Sequence, residues 1–146
     1  MTENDFRINH SKIIEAYQLI EMRLKMICAG LLSDEERDWL ERFDDYELEP
    51  LGNLIKKIRE EQPKKHITLF SPDDFESLDL IRKTRNYWAH QCFGGHSPIV
   101  FSREGTVKRP VYAAKVIDDL RNAEDWNDKL TEIFRSLKQI NSGRES

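Results

Sequence analysis

Ile13, Tyr17, Ile20, Leu24, Ile27 and Leu31 are spaced 4-3-4-3-4 along the chain. That rhythm places all six on one side of a helix and draws a single apolar seam over about five turns. A narrow seam of this kind is covered by a partner helix lying nearly parallel to it. The last third of the sequence carries a matching pattern. Val116, Ala123, Leu130 and Leu137 recur every seven residues, with Leu120, Trp126, Ile133 and Ile140 between them. This predicts a helix from about Val111 to Ile140. Two long seams far apart in sequence argue for an all-α bundle.

Shorter helices fill the middle. Asn9 or Ser11 is placed to cap the first helix, and Gly30 lies near its end. In "SDEE", Ser33 and Glu36 form a capping box for a second helix, whose inner face is Trp39, Leu40 and Phe43. "EPLGNLIKKIREEQP" reads as a third helix, with Leu51, Leu54, Ile55 and Ile58 inward and Pro50 and Pro63 bracketing it. After the connector "KKHITLF", Ser71, Pro72, Asp73 and Asp74 open a fourth helix. It runs to about Cys92 or Phe93, where Gly94 and Gly95 stop it. "SPIVFSREGTVKRPVY" reads as a short hairpin turning at "REG" or as an ordered loop, and "NSGRES" as a frayed tail. The expected molecule is one domain over residues 1–146, a bundle of about five helices with a short loop or hairpin before the last.

Composition narrows the function class. No apolar run approaches the roughly 18 residues that span a bilayer, and "MTENDFRINH" is too polar for a leader peptide. Cys28 and Cys92 form no CxxC pair, which fits reduced thiols in the cytoplasm. The net charge of −4 argues against a broad nucleic-acid-binding surface. The charge is uneven, however. Residues 34–49 hold nine acids and two bases, whereas residues 94–115 hold four bases (Arg103, Lys108, Arg109, Lys115) and one acid (Glu104). A local basic rim of this kind can steer a polyanion, and the plainer reading is a solvated face.

The fourth helix carries the residues with chemistry. On a wheel of about 100° per residue, Arg82, Asn86 and His90 form a ladder, and Arg85 and Cys92 fall beside them with the small Ala89 between. Ile81 and Trp88 flank this sector on one side, Leu80 and Tyr87 on the other. Apolar residues on two sides predict cover on two sides, one from the bundle and one from a second copy across a two-fold axis. A guanidinium binds phosphate oxygens in a two-pronged way, and an imidazole exchanges a proton near neutral pH. Cleavage of an RNA phosphodiester needs both groups and no nucleophile from the protein, because the 2′-hydroxyl attacks. Arg85 would stabilise charge on phosphorus and His90 would act as general base or acid. Asn86 would orient the ring or bind a phosphate oxygen.

"RNYWAH" resembles the signature of the HEPN superfamily, an Arg followed by a polar residue and, a few positions on, a His. Arg85, Asn86 and His90 match it, near the end of a late helix and ahead of a glycine break and one more long helix. The resemblance implies an all-α domain that dimerises through the motif helix and, in many members, metal-independent endoribonuclease activity. It implies toxins of toxin–antitoxin pairs or phage-defence nucleases, with a cognate antitoxin as partner. Arg82, Arg103, Lys108 and Arg109 would then grip RNA, with no metal and no cofactor. Three rivals stand beside it. One is a non-catalytic module of the same kind, similar to the mannitol operon repressor family, binding a nucleotide or protein. Another is a metal site formed by His90, Cys92 and His96 in "HQCFGGH", short of a fourth ligand. The last is an acidic antitoxin-like partner using residues 34–49.

Overall fold

The structure, a computed structural model, describes residues 1–33 and 38–145. Among these residues there are five α-helices and no strand: α1 (Glu3–Leu32), α2 (Trp39–Asp45), α3 (Leu51–Lys65), α4 (Pro72–Asn86), extended by a π-helical turn over Tyr87–Gln91, and α5 (Pro110–Glu145). The expected all-α bundle is the observed one. No described helix is long and apolar enough to cross a membrane.

The two long seams pack on each other. Ile13, Tyr17, Ile20, Leu24, Ile27 and Leu31 of α1 are buried, as are Val116, Leu120, Ala123, Trp126, Leu130 and Leu137 of α5. Polar side chains lock their register. Buried Asn127 donates from Nδ2 to the Ala16 carbonyl at 2.9 Å and accepts from Arg23 Nη1 at 2.6 Å. Near the other end, Asn141 Nδ2 donates to the Gly30 carbonyl at 3.0 Å. This bond ties α5 to the end of α1, and the helix runs on to Glu145 instead of stopping near Ile140.

Helix α1 also starts earlier than expected. Its N-cap is Thr2, whose hydroxyl accepts from the Asp5 amide at 3.1 Å, so Asn9 and Ser11 lie inside the helix. Phe6, fully buried, extends the seam by two turns. The segment ahead of the helix is held by the loop before α5. Val107 N donates to Met1 O at 3.0 Å and Glu3 N to Gly105 O at 2.7 Å. That loop has the expected turn at Arg103–Gly105, with Gly105 at φ 78°, but forms only isolated bridges.

Ser33 caps the C-terminus of α1, its hydroxyl donating to Gly30 O at 3.0 Å. Its proposed capping partner Glu36 lies outside the described residues. Helix α2 is capped by Asp38, whose side chain accepts from the Glu41 amide. Trp39, Leu40 and Phe43 are not a buried face: no α2 residue is buried, and Trp39 packs edge-on against Phe134 of α5. In α3, Leu51, Leu54, Ile55 and Ile58 are buried as expected, but Pro63 lies inside the last turn. The helix ends at His66, which takes the left-handed conformation with φ 57°. Buried Gln62 then fixes the connector, its Oε1 accepting from the amides of Leu69 and Phe70 and its Nε2 donating to Phe70 O. Helix α4 opens with the expected N-cap Ser71 and Pro72, and Asp74 completes a capping box.

Candidate functional site

Leu78, Ile81, Trp88 and Cys92 are buried on one side of the motif helix, and Arg85 occupies the remaining position of the same 3-4-3-4 stripe. A guanidinium on a core stripe needs a partner. Glu21 of α1 supplies it: Arg85 Nη2 lies 2.6 Å from Glu21 Oε1, with the two side chains 33% and 20% exposed. Arg85 Nη1 also donates to Asn86 Oδ1 at 3.3 Å. The arginine is therefore held in one pose, half-buried, by a carboxylate from the longest packed pair in the bundle.

One turn later the helix changes character. Cys92 N donates to Tyr87 O at 2.9 Å, a bond spanning five residues where an α-helix spans four. The extra residue in the turn shortens the angular step. A regular helix would put His90 about 140° from Arg85; the π turn brings the gap down to roughly 90°. His90 and Ala89 are exposed, and the His90 side chain makes no hydrogen bond or ion pair among the described residues. The same turn carries Cys92 away from Arg85, where the regular wheel put it, to the side of Trp88.

The carbonyl that the π turn leaves without its α-helical donor is Trp88 O. His10 Nε2 donates to it at 2.8 Å, and the Cys92 thiol at 3.3 Å. The His10 ring lies between Phe6 and Phe93 and against Trp88. On the other side, Trp88 Nε1 donates to Asp119 Oδ2 at 2.8 Å, and Asp119 pairs with Lys115 at 2.9 Å. Trp88 is thus fixed by α1 and α5 together, and His90 rides two residues beyond it. Sequence reasoning missed His10, Glu21 and Asp119. The signal for His10 is present in the sequence: Phe6, His10, Ile13 and Tyr17 continue the 4-3-4 seam, so His10 is a polar residue at a core position.

The two guanidiniums of the motif face do not converge. Arg82 lies over the start of α3, where a Cβ on Gly52 would fall 3.1 Å from Arg82 Cδ. The expected two-sided cover of α4 is one-sided within the chain. Ile81 and Trp88 are buried, Leu80 is 62% exposed and Tyr87 is half-buried. Burial pushes the Tyr87 hydroxyl up to about 12, and its Oη has no hydrogen-bond partner among the described residues. Burial likewise raises the Cys92 thiol above its ordinary range, so it stays protonated. The metal set of His90, Cys92 and His96 is not gathered. Among the described residues no three His, Cys, Asp or Glu side chains come together as metal ligands.

The basic residues after the motif separate into two groups. Lys108 and Arg109 line one cavity of about 340 Å³ with His96, Ser97, Pro98, Val100 and Tyr112. Arg103 is exposed on the turn and does not line it. In comparisons with known proteins, no family model, no curated protein and no solved structure matches this chain.

Proposed function

We propose that this chain is a metal-independent endoribonuclease of the HEPN type, acting as a homodimer in a toxin–antitoxin or phage-defence setting in the cytoplasm. The observation that carries the reading is the contrast between Arg85 and His90. Arg85 is held half-buried by Glu21, while the His90 side chain, on the π turn that follows, is exposed and makes no hydrogen bond or ion pair among the described residues. Fixed positive charge next to a free imidazole is the pairing that phosphodiester transesterification uses. The 2′-oxygen forms a bond to phosphorus as the bond to the 5′-oxygen breaks. His90 takes the 2′-hydroxyl proton and returns one to the departing 5′-oxygen. Arg85 and Asn86 bind the non-bridging oxygens. The products are a 2′,3′-cyclic phosphate and a 5′-hydroxyl. Arg82, Arg103, Lys108 and Arg109 hold flanking phosphates, and a cognate antitoxin covers the site.

One observation favours the rival, a non-catalytic HEPN-like module that binds a nucleotide or protein: the Arg85 guanidinium already has two partners in its own chain. The two readings separate in RNA cleavage assays run in EDTA. The ribonuclease reading expects cyclic-phosphate ends from wild type and a loss of about 100-fold or more for His90→Ala. Cleavage undiminished in His90→Ala removes His90 from the mechanism.

A further inference from the structure

The cavity before α5 is a separate feature from the Arg85–His90 pair, and its walls are tied in place. Tyr112 Oη donates to Ser97 O at 3.2 Å, closing one side. Lys108 N donates to Val100 O at 3.0 Å, fixing the opposite side. Arg109 immediately precedes α5 and Tyr112 sits on its first turn, linked by Tyr112 N donating to Arg109 O at 3.1 Å. The space of about 340 Å³ is at the small end of ligand pockets, enough for a mononucleotide-sized group.

Its chemistry is mixed in a particular way. Many cations elsewhere in the molecule pair with acids: Arg7 with Glu3, Arg59 with Asp79, Lys115 with Asp119 and Arg85 with Glu21. Lys108 and Arg109 pair with no carboxylate among the described residues, on a chain whose net charge is −4. Two unpaired cations at one concave spot suit a dianionic phosphate, the Arg by its two-pronged fork and the Lys as a point charge. The remaining walls are the Tyr112 ring, Pro98 and Val100, with the His96 imidazole. An aromatic face beside a phosphate locus suits a nucleobase.

We infer that this cavity binds a nucleoside phosphate, with the phosphate on Lys108 and Arg109 and the base against Tyr112. The phosphate belongs either to an RNA strand or to a free nucleotide. As a strand subsite the proposal rests on the ribonuclease reading; as a mononucleotide site it stands without it.

Calorimetric titration with adenosine 5′-monophosphate, adenosine, inorganic phosphate and a 2′-deoxy tetranucleotide, none of which can be cleaved by 2′-hydroxyl attack, tests the assignment. The monophosphate is expected to bind at least about tenfold more tightly than adenosine or phosphate alone, and Lys108→Ala and Arg109→Ala each to weaken it by about tenfold. Tyr112→Phe keeps the ring and retains binding, while Tyr112→Leu weakens it. A tetranucleotide that binds about tenfold more tightly than the monophosphate identifies a strand; equal affinities identify a free nucleotide. The inference is overturned if the monophosphate gives no binding at millimolar concentration, if the Lys108→Ala/Arg109→Ala double variant binds it as wild type does, or if phosphate alone binds as tightly. The monophosphate titration decides the cavity's role even for a chain that cleaves no RNA.

Discussion

Arg85 shows what a single polar residue on a core stripe costs and what it obtains. Its guanidinium sits where an aliphatic residue would pack, and Glu21 makes the position tolerable. Because both side chains keep some solvent contact, Glu21→Gln is expected to lower stability by about 1 kcal/mol in urea titrations, well short of the 3–5 kcal/mol of a fully buried pair. Asp74 gives a pH signature. Partial burial pushes its carboxyl up, but the Lys129 ammonium and the Ser71 amide and hydroxyl outweigh this and hold it below the usual carboxylate range. A depressed native pKa means stability that is present above the unfolded value, about 3.9, and lost as pH falls through the lower native one. Acid titrations of Asp74→Asn should show a shallower fall than wild type below about pH 4. Asn86 and His90 lie off the apolar stripe of the motif helix; Arg85 is legible at this scale because it interrupts that stripe of Leu78, Ile81, Trp88 and Cys92. His10 interrupts the α1 seam in the same way and was passed over. Glu21 and Asp119 carry no local signal, since exposed-looking acids on helices are ordinary until a distant Arg or Trp reaches them.

The helices divide by how much of their burial is periodic. The seams of α1 and α5 were largely legible, because each buries a repeating stripe against the other; Phe6 lies two turns ahead of the seam as read, Ile133 is only half-buried and Ile140 is exposed at the far end. Helix α2 was misjudged as having an inner face: its aromatic residues lie on the surface of the bundle, against Phe134 and each other. The π turn was invisible, since Leu78, Ile81, Trp88 and Cys92 fit a regular helix equally well; what differs is one backbone bond. The glycine break was legible, yet its two members are unequal. A Cβ on Gly95 would fall 2.6 Å from the Gln91 carbonyl oxygen, whereas one on Gly94 meets nothing within 4 Å. Thermal denaturation should find Gly94→Ala within about 0.5 kcal/mol of wild type and Gly95→Ala destabilised by more than about 1 kcal/mol, because the backbone itself must shift.

For the whole molecule, the face that the bundle leaves uncovered on α4 is the one expected to meet a second copy. Leu80, 62% exposed beside Thr84 and Tyr87, is the apolar residue there. Light scattering at micromolar concentration is expected to give twice the chain mass for wild type and the single-chain mass for Leu80→Glu, with helix content by circular dichroism unchanged. A wild-type monomer under those conditions would contradict the two-fold arrangement. The fold class and the two-seam core followed from pattern; the assembly does not, because an exposed leucine has no periodicity of its own.

The π turn has a consequence for how this helix tolerates a change of length. A π turn is what a helix makes of one residue too many. Removing exposed Ala89 would leave Cys92 N bonded to Tyr87 O, now four positions away, as in a regular helix. Trp88, Cys92 and the loop beyond would keep their places. The deletion variant should therefore fold with stability equal to or above that of wild type in urea titrations, while His90 swings to a new bearing and any RNA cleavage disappears. Fold and site would come apart at a single codon, the reverse of the usual rule that a helix deletion ruins everything downstream.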